Sequence, residues 1–130
     1  MNRIFGIGTD IVSNQRMMKI LQGTTRDRFL NKVLNKIEIE EFNQKSTEEQ
    51  QSQYLASRWA FKEAIVKASG RRELIFPQMY LTKSVDCPKP KLKIEETSKQ
   101  ILEEQLQIKD IHVSISHENE FSVAFVILTI

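Results

Sequence analysis

The chain has 130 residues, of which 40% are hydrophobic and 28% are charged, and its formal net charge is +2. These values predict one soluble globular domain over residues 1–130, with a single core. The charge is too small to indicate nucleic-acid binding, no apolar run approaches the ~20 residues that a membrane span needs, and the lone Cys87 excludes an internal disulfide.

The charge is unevenly distributed along the chain. Residues 1–36 contain seven basic and two acidic side chains, whereas residues 37–57 contain five glutamates and one lysine. A basic first third favours an acidic partner, although basic helix faces that are simply solvated are common.

The chain opens with an apolar run, I-F-G-I-G-T-D-I-V, which predicts a buried strand. Gly6 and Gly8 within it permit close approach by another backbone segment. Asp10 is a carboxylate in an otherwise apolar strand, so it either has a partner or ends the strand and caps the next turn.

Three short amphipathic helices are predicted next. The first is capped by Ser13, the second begins near residue 25, and the third begins near Lys36. We expect the third helix to bury Ile37 and Phe42. The basic side chains of the second helix are expected to face solvent.

The longest predicted helix ends at Gly70, which can adopt the left-handed conformation of a C-terminal cap. Ser46 and Glu49 have the spacing of a capping box at its start. With ~100° of rotation per residue, two stripes of this helix are apolar and a third carries Glu63 and Lys67 among alanines. Alanines cannot cover charged groups, so another element should approach that face. An ordinary exposed ion pair is the alternative.

The rest of the chain predicts two hairpins and a helix. The first hairpin starts at Pro77 and turns over residues 86–90, and a helix capped by Thr97 follows. Alternating apolar strands over residues 111–117 and 121–130 form the second hairpin. Strands of this kind combined with one long helix indicate an α+β fold.

Three motifs together point to a family. They are G-I-G-T-D-I-V near the start, W-A-F-K-E-A-I-V-K-A in the long helix, and S-I-S-H near the end. The chain resembles the holo-acyl-carrier-protein synthases, small phosphopantetheinyl transferases whose central motif is aromatic-x-x-K-E-A-x-x-K-A. The resemblance runs from the first strand to the last and implies an antiparallel β-sheet packed on one long central helix plus short helices.

The resemblance also implies an activity, which is transfer of 4′-phosphopantetheine from coenzyme A to a serine of an apo acyl carrier protein of fatty-acid synthesis. Adenosine 3′,5′-bisphosphate is released. Asp10 and Glu63 match the positions that bind Mg²⁺, and Lys67 matches a residue that stabilises charge on the pyrophosphate. His117 would bind a phosphate or shuttle a proton, although a turn histidine bonded to backbone is the alternative. Either Glu63 or a metal-bound water would be the general base.

The positions that match contacts to coenzyme A are Lys67, Gly70, Arg58, Lys89, Pro90 and His117. Pro88 stands where the family has a glycine in the hairpin turn. One glycine remains after the central motif, so either Arg71 and Arg72 would supply charge in place of backbone amides or the nucleotide end would be held differently. Lys62 is a further candidate for a phosphate or a neighbouring subunit.

The partners implied are an acidic acyl carrier protein, docked by Arg16, Arg26 and Arg28, and a homotrimer with active sites between subunits. These arginines could instead solvate their helices or pair with Glu38–Glu41. No nucleic-acid or membrane partner is expected. The absence of a leader segment favours bacterial cytoplasm, and a plastid or other organelle protein whose leader had been removed would look the same.

Two other functional classes stay open. A metal-dependent nucleotide phosphohydrolase would use the same two carboxylates but would release nucleotide without a carrier protein. A non-enzymatic interaction domain would need neither carboxylate, and Mg²⁺ and coenzyme A would not stabilise it together.

Overall fold

The computed structural model describes residues 3–130, apart from the side chains of residues 84 and 87. A 3₁₀ helix (Phe76–Gln78) precedes β2, and a π-helix (Gln100–Gln105) continues α5. The other elements in chain order are β1 (Ile4–Ser13), α1 (Asn14–Leu21), α2 (Arg26–Val33), α3 (Lys36–Asn43), α4 (Glu48–Ser69), β2 (Met79–Ser84), β3 (Cys87–Ile94), α5 (Glu96–Lys99), β4 (Asp110–His117) and β5 (Phe121–Thr129). Within residues 3–130, no helix is long and apolar enough to cross a membrane.

The strands form two antiparallel sheets. One has the order β1-β5-β4, and the other is the β2-β3 hairpin. Alternate residues of β5, including Ala124, Val126 and Leu128, are fully buried, and α4 packs against this inner face. The structure confirms the predicted α+β fold with an antiparallel sheet on one long helix, and it confirms the predicted β4-β5 hairpin.

β1 crosses α4 at very short range. A Cβ atom added at Gly8 would lie 2.0 Å from the carbonyl oxygen of Ala64, and one added at Gly6 would lie 1.9 Å from that of Ala68. The alanine Ala60 on the same helix is also fully buried. The prediction of close approach at the two glycines is confirmed, and β1 is the element that covers the alanine face of α4.

The start of α4 differs from the prediction by one residue. Thr47, and not Ser46, is the N-cap, since the Thr47 side chain accepts a hydrogen bond from the backbone N–H of Gln50. Ser46 donates its own N–H to the Gln50 side chain instead. Both residues are of capping type, so the sequence did not distinguish them. At the other end Gly70 has a φ of 72°, as predicted for a C-terminal cap.

The rotation of α3 also differs from the prediction. Ile37 is 44% exposed, whereas Phe42 is buried as predicted and Glu38 is fully buried. Asn35 caps α3, and the Glu38 carboxylate turns inward to accept the Asn35 N–H and the ammonium of Lys62. The Glu38–Lys62 pair determines which face of α3 packs on the core, and Ile37 is therefore exposed to solvent.

The turn of the first hairpin lies earlier than predicted. The connection between β2 and β3 is Val85–Asp86, so Lys89 and Pro90 belong to β3 and not to the turn. Each strand of a two-stranded sheet has one unpaired side, where a missing N–H leaves no ladder bond unmade, and proline is therefore tolerated in β3.

The predicted cap of the helix after the hairpin is wrong. The N-cap of α5 is Glu95, without a side-chain capping bond. The Thr97 hydroxyl donates to Gln78 Oε1 at 2.9 Å, which ties this helix to the segment before β2.

Candidate functional site

The first group of site residues forms where β1 crosses the last turns of α4. Lys67 Nζ lies 3.0 Å from Asp10 Oδ1 and donates to the carbonyl of Thr9 at 3.1 Å. The Asp10 side chain is 17% exposed and that of Lys67 is 53% exposed. A ligand can therefore reach both groups from solvent.

Glu63 lies one helical turn before Lys67. Burial and the negative charge of Asp10 raise the pKa of Glu63, while the positive charges of Lys67 and Arg16 act in the opposite direction. The two carboxylates therefore repel one another, and a bound cation would relieve this repulsion.

Asp10 and Glu63 suit a hard cation that completes its coordination with other oxygen ligands, and not a cation held by protein ligands alone. In the described part of the chain, no three His, Cys, Asp or Glu side chains converge as a metal site. Mg²⁺ commonly takes one or two carboxylates and completes its shell with phosphate oxygens and water. Asp10 and Glu63 are a donor set of that kind.

A cavity of about 650 Å³ opens beside Glu63 and Lys67, and we call it the carboxylate cavity. Its other lining residues are Lys32, Trp59, Val66, Arg72, Leu74, Ile75 and Phe76. Trp59 is fixed between Phe29 and Phe76, with ring centroids 5.4 and 5.3 Å away. The cavity therefore has an apolar wall formed around Trp59 and a charged end formed by Glu63 and Lys67.

The two arginines that follow the central motif behave differently. Arg71 is held by Glu73 Oε2, 2.7 Å from its NH2, and by Gln105 Oε1 at 2.7 Å. Arg72 lines the carboxylate cavity. Of the pair, Arg72 is therefore available to an anionic ligand, and Gly70 lies beside it at the exposed end of α4.

A second cavity, of about 670 Å³, contains three of the residues predicted to contact coenzyme A, namely Arg58, Pro90 and His117. We call it the cationic cavity because Lys45 and Lys83 also line it. Its one acidic lining residue in the described structure, Glu41, accepts a hydrogen bond from the Tyr54 hydroxyl at 2.8 Å. The predicted contact Lys89 lines an adjacent cavity with other β3 residues.

No described residue lines both the carboxylate and the cationic cavity. Arg58 and Glu63 are five residues apart on α4, so their side chains project about 140° apart around the helix. Within one chain, the site residues predicted from the sequence therefore fall into two groups: Asp10, Glu63 and Lys67, and Arg58, Pro90 and His117.

The arginines predicted to dock a carrier protein are not equivalent. Arg16 and Arg28 are exposed, and the charge of Arg16 influences the pKa of Glu63. Arg26 is half-buried, donates to the carbonyl of Leu21 at 3.2 Å and lies 5.5 Å above the Phe42 ring. Arg16 and Arg28 are thus free for a partner, whereas Arg26 has contacts within the chain.

Lys62 is not available to a phosphate. Its side chain is fully buried, and its Nζ donates to the Val33 carbonyl at 2.6 Å and to Glu38 Oε1 at 2.5 Å.

Two lysines that line the cationic cavity, Lys45 and Lys83, were not predicted from the sequence. Lys83 lies in the alternating run of the first hairpin. The sequence does not show which face of that strand points to the cationic cavity, so Lys83 could not be singled out.

The α+β fold thus brings two carboxylates and a lysine together at the crossing of its first strand and long helix. The chain belongs to the 4′-phosphopantetheinyl transferase superfamily, whose sequence model matches residues 6–126. This confirms the family predicted from the motifs.

Individual relatives agree with that assignment. The chain is 34% identical over 125 residues to the holo-[acyl-carrier-protein] synthase of Lactococcus lactis subsp. lactis (strain IL1403), covering 96% of this chain and 97% of the relative. The holo-ACP-synthase of Plasmodium yoelii superposes with a TM-score of 0.85 at 30% identity, covering 99% and 97% of the two chains. A Bacillus anthracis str. Ames holo-(acyl-carrier-protein) synthase in complex with CoA (3′,5′-ADP) superposes with a TM-score of 0.75 at 29% identity, covering 97% and 96%.

Proposed function

We propose that this protein transfers the 4′-phosphopantetheine group of coenzyme A to a serine of an apo acyl carrier protein, with Mg²⁺, and releases adenosine 3′,5′-bisphosphate. The observation that carries the proposal is the convergence of Asp10, Glu63 and Lys67 at one solvent-accessible point of a member of this superfamily. The holo-[acyl-carrier-protein] synthase relatives, one of them in complex with CoA (3′,5′-ADP), support the choice of substrates.

The carboxylate cavity would receive the pyrophosphate of coenzyme A. Asp10 and Glu63 would hold Mg²⁺, which supplies charge neutralisation to the pyrophosphate when bound. Lys67 and Arg72 add positive charge beside it. Phosphoryl transfer needs mainly alignment and charge stabilisation from a protein, and these four residues offer both.

In the reaction the serine hydroxyl oxygen forms a bond to the phosphorus that carries pantetheine. The bond from that phosphorus to the bridging oxygen breaks, and adenosine 3′,5′-bisphosphate leaves with the electron pair. The hydroxyl proton goes to Glu63 or to a water beside it.

The cationic cavity would receive the second anionic centre of coenzyme A. Once the pyrophosphate is assigned to the carboxylate cavity, the remaining anionic group is the 3′-phosphate on the ribose. Arg58, Lys83 and His117 offer hydrogen-bond donors to this cavity, and Glu41, the one acid among its described lining residues, accepts a hydrogen bond from Tyr54. Such a cavity suits a phosphate.

The two cavities would meet across an interface between copies of the chain in a homotrimer. The outer face of the three-stranded sheet exposes Ile7 (55%), Ile11 (64%), Phe121 (48%) and Phe125 (45%). An apolar face of this kind marks an association surface. Association would place the carboxylate cavity of one copy beside the cationic cavity of its neighbour.

The proposal is tested by mass spectrometry of apo acyl carrier protein after incubation with enzyme, coenzyme A and Mg²⁺. The carrier should gain the mass of one phosphopantetheine group, and chelation of Mg²⁺ should prevent this. Asp10→Ala and Glu63→Gln should each lower the rate by about 10²–10³ while the fold is kept. Glu104→Gln, at an exposed acid outside both cavities, is the matched control.

Two results would contradict the proposal. The first is wild-type-like transfer by either carboxylate variant at limiting Mg²⁺. The second is release of nucleotide from coenzyme A without a carrier protein, which would indicate the phosphohydrolase instead.

A further inference from the structure

Glu38 is a fully buried carboxylate whose two oxygens have unequal surroundings. Oε1 accepts from Lys62 Nζ at 2.5 Å and from the Asn35 N–H at 2.9 Å. Oε2 has no hydrogen-bond partner among the described residues. A buried charged oxygen without a partner is costly, so its orientation needs an explanation beyond packing.

The group that faces Oε2 is the guanidinium of Arg58. Its Nε lies 3.8 Å away and likewise lacks a hydrogen-bond partner in the described structure. Two other contacts restrict Arg58: its guanidinium carbon lies 4.3 Å from the centre of the Tyr54 ring, and NH1 donates to the Ser57 hydroxyl at 3.2 Å. Arg58 is thus held on one side, and its remaining N–H groups are left for the cationic cavity.

The charges around Arg58 favour the position of its guanidinium beside Glu38. Lys45 and Lys83 line the cationic cavity with Arg58 and repel its guanidinium, whereas Glu41 is the one described acid that lines the same cavity. Glu38 supplies the nearby negative charge, and Lys62 prevents that carboxylate from turning away by holding its other oxygen. The buried pair therefore favours the rotamer in which Arg58 borders the cavity.

We propose that Glu38 is a positioning residue that, anchored by Lys62, orients Arg58 to bind the ribose 3′-phosphate of coenzyme A. The inference rests on the proposed function and gives α3, whose Glu41 already lines the cationic cavity, a second role in orienting Arg58. It assigns no chemical step to Glu38. Its effect should therefore appear in KM for coenzyme A and not in kcat.

The test compares coenzyme A with 3′-dephospho-coenzyme A as donors in the mass-spectrometric assay. Glu38→Gln keeps a carbonyl-type acceptor but removes the charge that faces Arg58. We expect KM for coenzyme A to rise about tenfold with kcat nearly unchanged. KM for the dephospho donor should be the same in the variant and the wild type, because that donor lacks the group that Arg58 binds. Glu40→Gln, at an exposed acid of the same helix, should change neither KM.

A second variant separates positioning from stability. Glu38→Gln leaves the Lys62 ammonium buried with a neutral partner, so the double variant Glu38→Gln/Lys62→Met should recover the melting temperature but keep the raised KM for coenzyme A. Recovery of KM together with stability would overturn the inference, and so would an equal rise of KM for both donors. Failure of wild-type enzyme to modify the carrier would instead refute the proposed function.

Discussion

At the scale of single residues, the structure depends on two glycines that no larger residue can replace. Gly6 and Gly8 bring β1 against the backbone of α4, and this contact places Asp10 within reach of Lys67. The glycines and Asp10 belong to one motif because the close approach is what sets the geometry of the site.

Gly8→Ala should destabilise the protein by about 1–3 kcal/mol or more, because its Cβ would meet a backbone carbonyl that cannot rotate away. Gly23→Ala is the matched control, since the nearest atoms to its Cβ lie at 3.4 and 3.5 Å, and its effect should stay within about 0.5 kcal/mol. Denaturant unfolding measures both. Equal stability of the two variants would show that β1 does not press on α4 as described.

The raised pKa of Glu63 predicts how protons and Mg²⁺ compete. A carboxyl whose pKa is raised by folding adds stability below its ordinary value of 4.5, and this is lost as the pH rises through the raised value. Mg²⁺ binds the ionised form, so the rise in melting temperature that it causes should be larger at about pH 8 than at about pH 5.

Glu63→Gln should abolish most of that metal-dependent rise at both pH values. Differential scanning calorimetry with and without Mg²⁺ makes the comparison. A rise that is independent of pH in the wild type would show that Glu63 does not bind the metal.

At the scale of elements, the long helix and the terminal hairpin could be predicted because their hydrophobic periodicity is strong and local. The orientation of α3 could not be predicted. A glutamate such as Glu38 is expected at the surface, and its buried partner Lys62 lies 24 positions away in the sequence. The position of the first turn was missed for a different reason. Pro88 and Pro90 are turn-forming residues in most contexts, and only an edge strand accepts them.

The site was likewise predictable only where its residues belong to local sequence motifs. Asp10, Glu63 and Lys67 could be placed together from their motifs, and the structure brings them to one point. The cationic cavity draws residues from α3, α4, β2, β3, β4 and the segment between α3 and α4, so Lys45 and Lys83 had no local signal.

The start of α4 provides an element-scale prediction. Thr47→Ala should cost about 1 kcal/mol because its side chain caps the helix, whereas Ser46→Ala should cost only a few tenths. Thermal or urea unfolding of the two variants distinguishes them. A larger loss at Ser46 would mean that the cap lies one residue earlier.

At the scale of the whole molecule, we propose that the basic first third of the chain docks the carrier protein beside the carboxylate cavity. Arg16→Glu/Arg28→Glu should raise KM for the carrier protein and flatten its dependence on salt, because exposed charges chiefly set the rate of encounter. KM for coenzyme A should hardly change. Kinetics at low and high salt test this, and a loss confined to coenzyme A would show that these arginines do not dock the carrier.

The central claim is that two cavities that are separate in one chain complete a transferase site between two copies. Asp10→Ala removes the carboxylate that pairs with Lys67 beside the carboxylate cavity, and Lys83→Ala/His117→Ala changes only the cationic cavity. Each variant alone should have little activity, but in the proposed homotrimer a mixture of the two variants would contain interfaces at which both cavities are intact.

The decisive measurement is therefore the rate of carrier modification, followed by mass spectrometry, in assemblies refolded from an equal mixture of the two variants. Random assembly should restore about a quarter of the wild-type sites. Activity no greater than the sum of the separate variants would contradict a site shared between copies.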